Sequence, residues 1–243
     1  MKIALIGYGS MGKTIEKICL ARGHKVILKV DADSDSAWKQ EITKADVAIE
    51  FTEPHAAEEN MQVCFDADVP VVTGTTGWYS RFEQVKLACE EAKGGLFYAT
   101  NFSIGVNLFF QLNRSLARLM ATHPDYSARM VETHHTKKKD APSGTAISLA
   151  EGLLAEHPAY NRWIIPELAR SGDLEIESIR EGDVPGTHEV AYRSEVDEIT
   201  IKHTAFSRQG FAEGAVVAAE FLHNKKGIYT MSDLINETQS HGI

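Results

Sequence analysis

Residues 132–146 read Glu132-Thr133-His134-His135-Thr136-Lys137-Lys138-Lys139-Asp140-Ala141-Pro142-Ser143-Gly144-Thr145-Ala146. Two imidazoles and three ammonium groups fall within six positions. A histidine can donate a proton near neutral pH. A lysine can hold a carboxylate or stabilise charge that develops during reaction. The Ser143-Gly144-Thr145 turn opens a predicted helix, and a helix start is a natural seat for a carboxylate. A metal centre is not expected, because no second His/Cys cluster with a carboxylate stands out. Two readings remain: a solvated basic loop at Lys137–Lys139, or a binding site for a small anion. Only the second uses the histidines, the lysines and the helix start together.

A second locus is Gly7-Tyr8-Gly9-Ser10-Met11-Gly12, a GxGxxG turn. It follows a predicted strand and opens a predicted helix, the context in which this motif binds dinucleotides. Gly7 permits the tight turn, Gly9 the close approach of a pyrophosphate, and Gly12 the packing of helix on strand. The helix then presents N–H groups and positive dipole to the phosphates. Asp31, 19 residues beyond Gly12, ends the second predicted strand and can accept hydrogen bonds from an adenosine ribose. Nothing from Ala32 to Ala37 is basic, so a 2′-phosphate lacks an obvious partner. The cofactor is NADH and/or NADPH, with a lean toward NADH; Lys29 and Lys39 are the basic residues that could still reach. Two further loops, Thr73-Gly74-Thr75-Thr76-Gly77 and Thr100-Asn101-Phe102-Ser103, follow the fourth and fifth predicted strands. Ligands of open parallel sheets bind outside the carboxyl ends of strands. Gly74, Thr75, Thr76, Thr100, Asn101, Phe102 and Ser103 therefore suit the nicotinamide half.

The elements that must position these groups alternate over the first half. Strands are predicted at 2–6, 25–30, 45–50, 69–73 and 96–100, and helices at 11–22, 53–67 and 80–93. Residues 33–44 read as loop. Such alternation makes a parallel sheet covered on both faces. The pattern then changes. A long helix over 104–122 precedes strand-like runs at 126–133, 174–180, 189–193 and 198–204, with one helix at 144–157 between them. A last apolar helix over 214–223 closes the chain, followed by the run 232–235. The expected fold class is α/β: a Rossmann-type parallel-sheet nucleotide domain (1–105 plus 214–243) and an α+β domain with a mixed sheet (106–213).

The chain has 243 residues and a net charge of -9. An acidic chain is a poor general binder of nucleic acid or anionic membrane. Cys19, Cys64 and Cys89 form an odd, scattered set without CxxC, which argues for free thiols in a reducing compartment. No signal peptide or bilayer-length apolar run is evident, so the expected location is the cytoplasm.

The run from Glu132 to Ala146 resembles the signature of the dihydrodipicolinate reductase family, E-x-H-H-x-x-K-x-D-A-P-S-G-T-A, at every fixed position. The likeness extends to Gly7–Gly12, Phe51-Thr52 before Glu53-Pro54, Val72–Gly77, Asn101–Asn107, Arg180–Gly186 and the SRQGFAEGA run of Ser207–Ala215. It implies reduction of 4-hydroxy-tetrahydrodipicolinate to tetrahydrodipicolinate, with loss of water, in the diaminopimelate route to lysine. By matched position, His134 is the proton donor and Lys138 the lysine beside the substrate ring. His135, Gly144 and Thr145 contact the substrate carboxylate. The glycine turn, Gly74–Thr76 and Thr100–Ser103 contact the cofactor. Arg208 and Phe211 lie where the chain returns to the nucleotide domain, and a small dicarboxylate and a homotetramer built through the second domain's sheet are the implied partners. The chain departs from the family in short loops after Asp31 and around 155–174. It also lacks an arginine after Asp31 and carries Glu53 where arginine is frequent; both bear on cofactor preference. Two other readings stay open: another two-domain reductase, such as an aspartate or semialdehyde dehydrogenase, and a nucleotide-sensing regulator. The semialdehyde enzyme would need a nucleophilic cysteine in an active-site loop, and the regulator no proton donor.

Overall fold

The computed structural model describes residues 1–207 and 209–240. The chain opens with β1 (Lys2–Ile6), α1 (Ser10–Ala21), β2 (Lys25–Val30), the short α2 (Trp38–Glu41), β3 (Val47–Glu50), α3 (Pro54–Asp66), β4 (Val71–Thr73), α4 (Phe82–Glu91) and β5 (Gly95–Tyr98). Then come α5 (Ile104–Met120), β6 (Ser127–His134), α6 (Gly144–Glu156), β7 (Arg162–Ile164), β8 (Asp173–Arg180), β9 (Gly186–Arg193) and β10 (Glu198–Ala205). The last elements are α7 (Gln209–Leu222), β11 (Gly227–Tyr229) and α8 (Met231–Ser240). By contact the chain divides into two units, Met1–Ile104 with Gln209–Ile243, and Gly105–Arg208.

The first unit holds a six-stranded sheet in the order β11-β5-β4-β3-β1-β2, parallel throughout. Alternate residues of β1 face opposite cores. Ile3 and Leu5 pack with Ile15 and Cys19 of α1 and Val216 and Ala219 of α7. Ala4 and Ile6 pack with Met61 and Cys64 of α3 and Cys89 of α4. A strand covered on both faces favours apolar residues at successive positions, which explains the apolar runs. All three cysteines are buried and unpaired. Burial pushes the Cys19 thiol up to about 12 and the Cys89 thiol up to about 11, and drives the Cys64 thiol higher still.

The second unit carries a mixed five-stranded sheet, ordered β10-β9-β6-β8-β7. β6 is central, antiparallel to β9 and parallel to β8. Met130, Ile176, Val190 and Tyr192 point from it into a core shared with Leu149 and Leu153 of α6 and Phe109 of α5.

The structure corrects four expectations. The segment 33–44 is not all loop: α2 and a 3₁₀ turn at Ile42–Lys44 bury Ile42. The strands β7 and β11, three residues each, are too short to leave a periodic signal. The run 232–235, which follows what reads as the last helix, lies within a further helix, Met231–Ser240. The preceding helix begins at Gln209 rather than residue 214. Gly214, which reads as the first residue of the helix, lies inside it and serves close approach: a Cβ there would lie 1.7 Å from the Phe102 carbonyl oxygen.

Candidate active site

In the first unit the glycine turn joins β1 to α1. Gly7 has φ +97°, and a Cβ on it would meet the Phe51 carbonyl oxygen at 1.9 Å. A Cβ on Gly12 would meet the Gly7 carbonyl oxygen at 2.2 Å, and one on Gly74 the Phe51 ring at 2.1 Å. Gly9 differs, because nothing lies within 4 Å of the position its Cβ would take. It caps α1, whose start at Ser10 has no side-chain cap and no acidic residue in the first turn. A helix left with unanswered amides and an open face beside them fits a pyrophosphate.

A cavity of about 340 Å³ is lined by Met11, Phe51, Thr52, Gly74, Thr75, Thr76, Thr100, Phe102 and Phe211. It gathers Met11 with both threonine-bearing loops. Phe51, Thr52 and Phe211 belong to it as well, although only the family likeness marked them in sequence. Beneath lies Glu50, fully buried at the end of β3. It accepts hydrogen bonds from Thr52 N (3.0 Å), Thr73 Oγ1 (2.5 Å), Thr75 Oγ1 (3.0 Å) and Thr52 Oγ1. One carboxylate thus ties the loops after β3 and β4. Asn101 is buried, and its Oδ1 accepts from Ser103 N at 2.9 Å.

Tyr8 and Asp31 do not line this cavity. The Tyr8 hydroxyl donates to Glu16, and the Lys29 ammonium lies 4.8 Å from the Tyr8 ring centre and 2.5 Å from Glu16 Oε1. Asp31 Oδ1 accepts from Asp33 N and Ser34 Oγ. Lys39 is held by Glu59 at 2.7 Å. Both lysines that could answer a 2′-phosphate are therefore engaged by glutamates.

In the second unit, His134 ends β6, Lys138 lies in the following loop and Gly144–Thr145 begin α6. Ser143 caps that helix by accepting from Ala146 N at 3.2 Å. A Cβ on Gly144 would meet nothing within 4 Å. Lys137 and Lys139 are exposed, whereas the Lys138 side chain is 21% exposed and its Nζ donates to both Asp140 oxygens at 2.8 and 2.7 Å. The loop is thus not a uniformly solvated basic run. His135 is half-buried, and its carbonyl accepts from Lys138 N.

The E-x-H spacing places Glu132 and His134 on one face of β6, because strand side chains alternate. That face is buried: Glu132 is 1% exposed and His134 7%. Cross-strand register sets Ser178 of β8 and His188 of β9 opposite Glu132, and Arg180 opposite His134. Glu132 Oε1 accepts from Ser178 Oγ (2.8 Å), Arg180 Nη2 (3.0 Å) and Ser143 N (3.1 Å). Its Oε2 lies 3.1 Å from His134 Nδ1 and 3.9 Å from His188 Nε2. Burial alone would raise the Glu132 carboxyl, but the close approach of His134 and hydrogen bonds from Ser143, Ser178 and Arg180 outweigh it and hold the group well below the usual carboxylate range. Burial, helped by the neighbouring His134, pushes the His188 imidazole down to about 4. At neutral pH His188 is therefore uncharged, and it packs edge-on to His134 with ring centres 5.1 Å apart.

No second cluster of histidines with a carboxylate stands out in sequence, but the fold assembles one around His134. Glu132, His134 and His188 bring ligand-type atoms within 4.8 Å of one another. Arg180 already neutralises that carboxylate, and His188 Nε2 is 3.2 Å from Ser143 Oγ. The cluster is a hydrogen-bonded hub rather than a cation cage. His188 and Ser178 were invisible to motif reading because each stands among other polar residues of its strand, far in sequence from the 132–146 run. The one available signal was alternation, which puts His188, Val190 and Tyr192 on the same face. Arg208 lies outside the described residues.

Comparison with known proteins matches residues 1–102 to the model described as dihydrodipicolinate reductase, N-terminus, and residues 105–235 to its C-terminal counterpart. A relative from Christiangramia forsetii, named 4-hydroxy-tetrahydrodipicolinate reductase, is 47% identical over 98% of this chain and 98% of its own. One of the same name from Alkaliphilus oremlandii is 34% identical over 94% and 95%. Among solved structures, a dipicolinate-bound dihydrodipicolinate reductase from Paenisporosarcina sp. TG-14 superposes with a TM-score of 0.75 at 23% identity, covering 95% of this chain and 97% of that one. With both halves matched and relatives this similar along the whole length, the chain belongs to the dihydrodipicolinate reductase family.

Proposed function

We propose that this chain reduces 4-hydroxy-tetrahydrodipicolinate to tetrahydrodipicolinate, the substrate losing water and gaining one hydride and one proton. The observation that carries the reading is local. A single β6–loop–α6 segment supplies a buried imidazole, a half-buried ammonium and a helix start, the three groups needed to hold a dicarboxylate and protonate its ring. When bound, the dihydronicotinamide supplies the hydride. Lys138, His135 and the Gly144–Thr145 helix start hold the substrate's carboxylate, and His134 gives the proton. Positioning of this kind contributes about 7–11 kcal/mol in favourable cases.

Gly7–Gly12 take the pyrophosphate, and Asp31 takes the adenosine ribose. Gly74–Thr76 and Thr100–Ser103 take the nicotinamide half, in the cavity beneath which Glu50 fixes the threonine loops. The units accordingly serve as a dinucleotide-binding domain and a substrate domain. The second also makes the contacts of a homotetramer, through the sheet face on which Arg129, Val131, Ile179 and Ala191 point away from the core. No described helix is long and apolar enough to cross a membrane; the buried free thiols suit the cytoplasm.

The test is oxidation of the dihydronicotinamide, followed by its absorbance, with and without the dicarboxylate substrate. Turnover that depends on substrate supports the reading, and dinucleotide binding without turnover favours a nucleotide sensor. In the same assay kcat/KM should be higher with NADH than with NADPH, because Lys29 and Lys39 are paired with Glu16 and Glu59. A strong NADPH preference would overturn that assignment. Gly9→Val should weaken dinucleotide binding about tenfold or more. Its melting temperature should hold, because the new side chain meets open space rather than protein. A wild-type Kd measured by titration would remove Gly9 from the phosphate site.

A further inference from the structure

We propose that Glu132 is the positioning residue of this site: its one carboxylate both aims the His134 imidazole and anchors the start of the substrate-seating helix. The inference rests on the reading of His134 as proton donor. Its two oxygens do different work. Oε1 takes three donors from two elements, namely Ser178 and Arg180 on β8 and the Ser143 amide at the α6 cap. With Oε1 pinned from three sides the carboxylate plane has one orientation. Oε2 then faces imidazoles alone, His134 Nδ1 at 3.1 Å and His188 Nε2 at 3.9 Å. The His134 approach is off-line for a straight hydrogen bond, so it is an ion-pair contact.

An anionic oxygen beside Nδ1 keeps the proton on that nitrogen and leaves Nε2 to exchange the reactive one. Gly186 keeps that edge clear, since a Cβ there would stand 3.0 Å from His134 Nε2. His188 cannot compete for the negative charge, because burial keeps it neutral. Arg180 extends the same anchor into the loop by donating to the Asp140 carbonyl at 2.6 Å, next to the carboxylate that holds Lys138. Proton donor, lysine loop and helix cap are thereby referred to one side chain. The charged and titratable groups about the His134–His188 pair are Glu132 on the strand of His134, Arg180 on β8, His203 on β10 opposite His188, and the Lys138–Asp140 pair.

The test is the pH dependence of kcat in Glu132→Gln. The amide can keep its oxygen on the three Oε1 donors while its NH₂ replaces the acceptor facing Nδ1, which favours the wrong tautomer. We expect kcat to fall about 10²-fold or more. The alkaline limb of the profile should move to lower pH by about one unit, because the imidazolium loses its counter-charge. The KM for NADH should not change. A merely structural Glu132 would lower the melting temperature and leave the limb in place, and that result would overturn the proposal. If Glu132→Gln does not fold, Ser178→Ala provides the second test. It removes one donor to Oε1, leaves more charge on Oε2 and should move the limb to higher pH; an unmoved limb there also counts against the proposal. Failure of the underlying reading looks different, since His134→Gln would then retain turnover.

Discussion

His134→Gln is expected to lower kcat by about 10²–10⁴-fold, the usual worth of a positioned proton donor, with KM for the dicarboxylate changed less than about threefold. Glutamine approximates the volume of the imidazole and keeps hydrogen-bonding atoms on a face where His134 is only 7% exposed. Packing against His188 and beside Gly186 should therefore survive, and a melting curve is the control. What glutamine cannot do is carry an exchangeable proton near neutral pH. The step it removes is the protonation of the reduced ring, so the loss should appear in kcat and equally in kcat/KM. Wild-type turnover in a folded variant would reject His134 as the donor.

Lys138→Ala should damage both parameters, lowering kcat and raising KM for the dicarboxylate each by about tenfold or more, from the ~1.5–3 kcal/mol of a hydrogen bond to a charged group. The Lys138 side chain is mostly shielded, at 21% exposure, where charge counts for more than at an open surface. Asp140 already grips it at 2.7 Å, which fixes where the charge sits before any ligand arrives. Alanine at Lys137 or Lys139, both exposed, should change neither parameter beyond about twofold. Steady-state kinetics on the three variants separates the readings. Equal, small losses across all three would restore the solvated basic loop.

The site was legible in the sequence where function depends on consecutive residues. A glycine turn between strand and helix needs no tertiary information, because the backbone itself forms the cradle. Glu132, His134, Lys138 and Gly144 follow one another along a strand, loop and helix start, and alternation alone puts the first two on one face. The apolar runs of β1 and β4 likewise announce a sheet buried on both sides. Legibility failed at β7 and β11, three residues each, whose pairing comes from neighbouring strands rather than from any pattern of their own. It failed at Gly214 for a related reason. A glycine that admits a carbonyl looks the same, in a sequence, as one at a helix boundary.

The chain's own order of residues determined the fold class, the glycine-rich turn between strand and helix and the histidine–lysine segment, since these rest on local geometry and short-range periodicity. Tertiary structure alone decided what surrounds them. Ser178 and Arg180 lie 46 and 48 residues from Glu132, yet sheet order makes β8 and β9 the two neighbours of β6 and brings them onto one carboxylate. It also decided that Lys29 and Lys39 face glutamates rather than open space, and that Phe51, Thr52 and Phe211 share a cavity with Gly74. The physical reason is common to all of these: hydrogen bonds and charge pairs act over a few ångströms in space, and only the folded sheet converts distant positions into that distance.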